Sequence, residues 1–381
     1  MTASLILTLF ACSGTPADPA AEANAAATNA GATDAAPAAE APDELGVLGI
    51  RNADGQIKTI LVDKKGFKTM GDGVAVPRDD SWWWVGYVGQ DGWDSLVLWS
   101  APAGEMPEAP PIDTSACPDT AVTTTVTFIG KEHISYELHG GGMCEGAAHP
   151  WQSHELVTTA LTAPSSVNKD KTFTSSGEAI DLSAVAGDAG VAALTKAGGA
   201  AKAGGECFSD PTTTQWGLVR REGGWVVRGG LTYEAEACRD SYTHYDVPVD
   251  APAAMLAGYE AAEWDKWAAA TPGLVDYTAS PSGNMAVLFT EDGVRLKVGD
   301  DDNVKQLYTK GASLVMAYWT SGDAIDEWRE AVAAAMPGTS RTRGGANVGI
   351  PGRTPTFGED GKKGKKGTKT EGAPSGEPQV E

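Results

Sequence analysis

Apolar and polar positions alternate in short runs through most of residues 45–338, the period of strands that bury one face. Residues 46–51 and 56–62 carry this alternation on either side of Asn52, Ala53, Asp54 and Gly55, a turn sequence that predicts a hairpin. A second hairpin is predicted from 81–88 and 93–99, and a third from 216–221 and 225–233, turning at Glu222, Gly223 and Gly224. Further strands are expected at 122–129, 155–161, 283–289, 293–298 and 312–318. Helical signals are fewer. An Ala/Gly-rich stretch ending at Gly205 reads as a weak helix, and Asp250 to Pro252 read as the cap and first turn of a helix reaching Ala270. Ile325, Trp328, Val332 and Met336 mark the apolar stripe of a helix over 323–336. The fold class expected is α+β: antiparallel, β-rich modules with a few helices, flanked by disordered N- and C-terminal segments.

Breaks in the pattern set the expected organisation. Residues 1–12 form a short apolar segment ending in Leu9, Phe10, Ala11 and Cys12, which resembles a bacterial lipoprotein signal peptide with those four residues in the place of the lipobox. The resemblance implies export, lipidation of Cys12 and anchoring at the outer membrane, Ser13 standing where a sorting residue would. Residues 13–44 are small, polar and acidic with no aromatic, the composition of a disordered tether with a reach of roughly 30 Å. A Trp-rich β module is expected at 45–113, a central α+β domain at 114–254, a helix-strand-helix module at 255–338 and a disordered tail at 339–381. The tail clusters Lys362, Lys363, Lys365, Lys366 and Lys369, which would rest on the protein's own acidic surface or meet an anionic envelope surface.

Charge and cysteine content narrow the partners. A net charge of −22 over 381 residues repels phosphate backbones, so nucleic acid is excluded as a partner. No apolar run approaches the ~20 residues that span a bilayer, so the membrane is expected as a partner only through the lipid anchor. Beyond Cys12 there are Cys117, Cys144, Cys207 and Cys238, an even number that in an exported chain reads as two disulfides. Of the three connectivities the local one is favoured, Cys117 with Cys144 and Cys207 with Cys238, because each pair brackets one hairpin or strand pair. No Cys-x-x-Cys is present to suggest a thiolate metal site.

Two stretches hold candidate chemistry. In the second hairpin Trp82 and Trp84 fall on one face and Trp83 on the other, so at least one indole is expected outside a single-sided core. With Tyr87 or Trp93 beside it, such an indole would stack on a sugar ring or anchor a protein; a sheet buried on both faces is the competing arrangement. The glycine-rich stretch from Tyr136 to His154 gathers His139, Cys144, His149, Trp151 and His154 and is expected to form a loop between strands. Its His139, Cys144, His149 and His154 recur at a spacing that fits neither one strand face nor one helix face. These side chains would cap loop backbone or lie at the surface; a zinc site from His139, His149 and His154 with one carboxylate is the alternative. His154 and Glu155 open like a zincin helix, but position 158 is Thr where the second histidine would stand. No Gly-x-Ser-x-Gly, phosphate loop or dinucleotide fingerprint occurs.

A strand with Tyr136, a Gly-Gly turn, Ala148-His149-Pro150, the segment 177–182, the Gly224-Trp225 hairpin with Tyr233 and a closing Val247-Pro248-Val249 follow one another in the central region. This order is similar to an extracytoplasmic domain family found in lysozyme-sensing anti-sigma factors and beside peptidoglycan deacetylase domains. The resemblance covers 114–254, about a third of the chain, and implies a sandwich-like α+β domain that binds a protein ligand, with His149 as the residue carried over. The function expected is non-enzymatic binding of a protein or glycan ligand at the cell envelope, without a cofactor. The alternatives are a metal-dependent envelope hydrolase using the 139–154 loop, and a passive structural lipoprotein. An exposed aromatic patch would favour binding; histidines and carboxylates converging in a cleft would favour chemistry.

Overall fold

The first hairpin forms as its turn dictates. β1 (Glu44–Arg51) and β2 (Ile57–Asp63) pair antiparallel across the Asn52 turn, where Asn52 Oδ1 accepts from the amides of Asp54 at 3.1 Å and Gln56 at 2.9 Å. β3 (Gly66–Asp72) extends this sheet. The computed structural model describes residues 42–89, 96–105, 121–143, 145–146, 151–162, 178–203, 207–233, 242–256, 263–299, 304–307 and 309–336. The expected signal peptide and tail lie outside them, as do residues 13–41 of the expected tether, whose last residue, Glu44, instead opens β1.

Four more antiparallel sheets follow in chain order. The second is β4 (Val74–Pro77), β5 (Trp82–Gly89) and β6 (Leu96–Pro102); the third is β7 (Ala121–Ile129), β8 (His133–Gly142) and β9 (Trp151–Ala160). After helix α1 (Leu182–Lys202) comes the fourth, β10 (Trp216–Arg221), β11 (Gly224–Leu231) and β12 (Thr243–Asp250). After α2 (Trp264–Ala270) comes the fifth, β13 (Leu274–Ala279), β14 (Met285–Thr290), β15 (Gly293–Val298) and β16 (Lys305–Leu307). The described residues are therefore mostly antiparallel β, with three helices counting α3 (Ala324–Ala335). None of these helices is long and apolar enough to cross a membrane.

The last strand, β17 (Ser313–Ser321), returns to the first sheet and pairs antiparallel with β1, Glu44 opposite Ser321 and Arg51 opposite Ser313. This joins the chain's first and last expected modules in one sheet. Each sheet then touches the next. Thr59 of β2 donates to Gly73 O at 2.9 Å and accepts from the Ala75 amide, tying the first sheet to the second. Tyr87 donates to Thr124 O at 2.9 Å between the second and third, and Thr158 donates to Trp216 O at 3.1 Å between the third and fourth. Arg220 and Asp276 pair at 3.0 Å between the fourth and fifth. Leu48, Ile50 and Ile60 of the first sheet share a buried core with Val287, Phe289 and Leu296 of the fifth, which closes the cycle. This is the neighbour order of a propeller-type ring whose terminal strand completes its first sheet.

Core packing explains why the strands are apolar on both faces. One core joins Leu45, Val76, Val85, Tyr136 and Val315 from the first three sheets, with α3 covering it through Val332 and the partly buried Ile325, Trp328 and Met336, the stripe expected from the sequence. Another packs α1 on the fourth sheet through Leu182, Leu194, Trp216 and Tyr245. At about 1.5–3 kcal/mol for each large side chain removed from water, such cores supply the driving force that short three-stranded sheets lack alone. The helix expected from Asp250 differs: β12 runs through Asp250, Pro252 to Met255 form a turn, and helix begins at Trp264.

Candidate functional site

The tryptophan strand serves the core. Trp84 is buried, its indole N–H donating to Asp72 O at 3.1 Å, and its ring fills the space left by Gly73 and Gly86. Trp82 meets Trp328 of α3 edge-on with ring centroids 5.3 Å apart. Trp83, on the other face, lies under the Arg78 guanidinium at 4.9 Å. The Tyr87 hydroxyl is spent on Thr124, and burial pushes its pKa up to about 12. Of the two arrangements the sequence leaves open, an indole outside the core or a sheet packed on both faces, this strand takes the second. Among the described residues the exposed large hydrophobics are Met143, Val275 and Val304, none of them aromatic. Trp93 and His149 lie outside the described residues; Trp151 starts β9 opposite Gly142.

The histidine stretch departs from its expected loop in a way that creates a site. β8 continues through Gly142 and β9 starts at Trp151, so His139 and His154 sit in strands, directly opposite one another in register. Opposite residues of an antiparallel pair share a face, and Glu137, two positions before His139, shares it too. This face turns toward the fourth sheet, whose β10 approaches so closely that a Cβ on Gly217 would lie 2.8 Å from Leu156 Cδ1. Facing it from the fourth sheet stand Tyr242 and His244, at the start of β12, with Gly230 opposite His244. A Cβ on Gly230 would meet the Tyr242 hydroxyl at 2.4 Å, so glycine makes room for that ring.

The side chains converge tightly. The His154 ring is held between His139, with centroids 3.3 Å apart, and Tyr242, stacked at 3.2 Å and 17°. His244 meets Tyr242 edge-on at 4.6 Å. Its Nε2 lies 3.3 Å from Glu137 Oε1 without hydrogen-bond geometry, and His139 Nε2 lies 3.8 Å from Glu137 Oε2. One ligand atom from each of Glu137, His154 and His244 falls within 4.8 Å of the others. Among the described residues, His154 Nε2, His244 Nε2 and the Tyr242 hydroxyl are buried atoms with no hydrogen-bond partner. Each such atom costs about 1–3 kcal/mol if nothing satisfies it.

Electrostatics set the protonation states. Burial, reinforced by the neighbouring His139 and His244, pushes the His154 pKa down to about 2, so its imidazole is neutral. Burial also lowers His244, against the pull of Glu137. Burial works to raise the Glu137 carboxyl, but His139, His244 and the half-buried Arg51 guanidinium outweigh it and hold the group below its usual range. Tyr242 is raised by burial and by the Glu137 and Glu155 carboxylates, so its phenol keeps its proton. The cluster thus places neutral imidazoles beside a carboxylate anion.

Of the metal candidates read from sequence, the fold brings His139 and His154 together; Glu137, Tyr242 and His244 were not among them. Alternation could have found Glu137 beside His139, and His244 beside Asp246, but nothing local joins β8 to β12. Cys207 is disulfide-bonded, while Cys12, Cys117, Cys144 and Cys238 lie outside the described residues. No family model and no curated protein matches the chain. Among solved structures it is similar to a provisionally assigned 6-phosphogluconolactonase from Bacteroides uniformis, at 15% identity over 71% of this chain and 68% of that one, with a TM-score of 0.18. A likeness at that level carries no argument about fold or activity.

Proposed function

We propose that this chain is an exported, lipid-anchored binding protein of the cell envelope, whose ligand enters the groove between the third and fourth sheets. The observation that carries this reading is the convergence of Glu137, His154, Tyr242 and His244, whose buried imidazole nitrogens have no hydrogen-bond partner among the described residues. A carboxylate and buried imidazoles that converge at one place between two sheets are poised for something brought to them. The disulfide at Cys207 fits an oxidising compartment, as does the lipoprotein-like N-terminus. The groove also falls within the region resembling the extracytoplasmic ligand-binding family.

The same convergence favours a second reading, a metal-dependent envelope hydrolase, because a carboxylate and histidines in a cleft are also the parts of such a centre. A passive structural lipoprotein leaves this convergence without a reason. Native mass spectrometry of the full chain, extracted from its own envelope, tests the binding reading. The wild type is expected to carry a non-covalent adduct that His154→Ala lacks; identical, adduct-free spectra for both would overturn it.

A further inference from the structure

We propose that Glu137, His154 and His244 form a binding site for one divalent first-row transition-metal ion, zinc foremost, and that this ion is what the groove takes up. The inference rests on the binding reading above and names the ligand. Two imidazoles and one carboxylate are the donor set for such an ion, with a fourth position left to solvent or to a further molecule. In a tetrahedral centre with bonds of about 2.0–2.1 Å, ligand atoms sit roughly 3.2–3.5 Å apart. The His244 Nε2 to Glu137 Oε1 separation is 3.3 Å, and the whole set lies within 4.8 Å.

The surroundings fit a coordinating role. His154 and His244 each hold a buried Nε2 that no described residue satisfies, and a ligating imidazole must be neutral. Stacking between His139 and Tyr242 fixes the plane of the His154 ring, which sets where its nitrogen points. His139, 3.8 Å from the Glu137 carboxylate, is a positioning residue. The nearby cations oppose binding: Arg51 acts on Glu137, and Arg228 on His244. Arg228 is engaged by Asp246 at 3.1 Å, and Arg51 by the Val126 carbonyl at 2.5 Å. The Arg51 charge is only partly offset, and the single carboxylate of the site must supply the balance.

The test is zinc titration of metal-stripped full-length chain by calorimetry, with cobalt(II) absorption as a second readout. One zinc per chain is expected, with cobalt giving the intense visible bands of a four-coordinate centre. His154→Ala and His244→Ala should each weaken zinc affinity by 100-fold or more, and His139→Ala by about 10–100-fold, as positioning residues do. Absence of stoichiometric zinc, or affinity unchanged in both ligand variants, overturns the metal assignment. The cobalt spectrum of the unaltered chain decides the question if the variants fold poorly. An organic adduct in native mass spectra without zinc binding removes the metal and keeps the binding reading; the absence of both removes both.

Discussion

A histidine's role depends on which face its strand presents, and His154 shows how little of that is local. Spacing along the chain placed His139 and His154 on no common face, because it treated the stretch as one run. The hairpin folds that run back on itself, so residues flanking the turn become cross-strand partners. Glu137 and His244 were less legible still, since their meeting depends on two sheets packing rather than on any spacing. Glycine carries part of the same information. Gly86→Ala would put a methyl 2.1 Å from the Trp84 ring, and overpacking of this kind costs about 1–3 kcal/mol. Urea unfolding of that variant should show the loss. Gly230→Ala would press on the Tyr242 hydroxyl and loosen the stack on His154; zinc affinity should fall while the unfolding midpoint moves little.

Hairpins were the most legible elements, because each needs only a turn signal between two alternating runs; Asn52 and its neighbours are the clear case. The helix over 324–335 was equally plain from its apolar stripe. The contacts between elements were not. Arg220 and Asp276 form a pair between the fourth and fifth sheets, both largely buried, with the Gly223 amide also donating to the carboxylate at 2.9 Å. Burial raises the Asp276 pKa, against the Arg220 charge that favours its ionised form. Asp276→Ala leaves a buried guanidinium unpaired and should cost about 3–5 kcal/mol, read from the urea midpoint. A second ion pair joins β2 to α3, where Arg329 donates to Asp63 Oδ2 at 2.6 Å. Burial works to raise the Asp63 carboxyl, but Arg329 and the Lys65 and Gly66 amides more than offset it and hold it below its usual value. A depressed carboxylate stabilises the fold above its unfolded pKa of about 3.9, and the contribution disappears as pH falls through the lower folded value. The stability gap between wild type and Asp63→Asn should therefore be full at pH 7 and close in that acidic window.

For the molecule as a whole, the decisive element is β17. It comes last among the strands yet completes the first sheet, and its two faces feed two cores, Val315 and Tyr318 in one and Leu314 and Ala317 in the other. A sequence read in order divides naturally into consecutive modules, because nothing local tells β17 that its partner is β1. A chain ending at residue 312 should lose cooperative unfolding by circular dichroism, since one edge of β1 and both cores are opened; a retained sharp transition would mean that the ring does not need its terminal strand. Ring closure also supports the groove, for the third and fourth sheets are each held from both sides. X-ray absorption at the zinc edge of the loaded full-length chain addresses the groove's chemistry most directly. The expected first shell is nitrogen and oxygen only, with outer-shell scattering from two imidazoles. Sulfur at about 2.3 Å, or a shell without imidazole, would contradict the assignment of Glu137, His154 and His244 as the ligands.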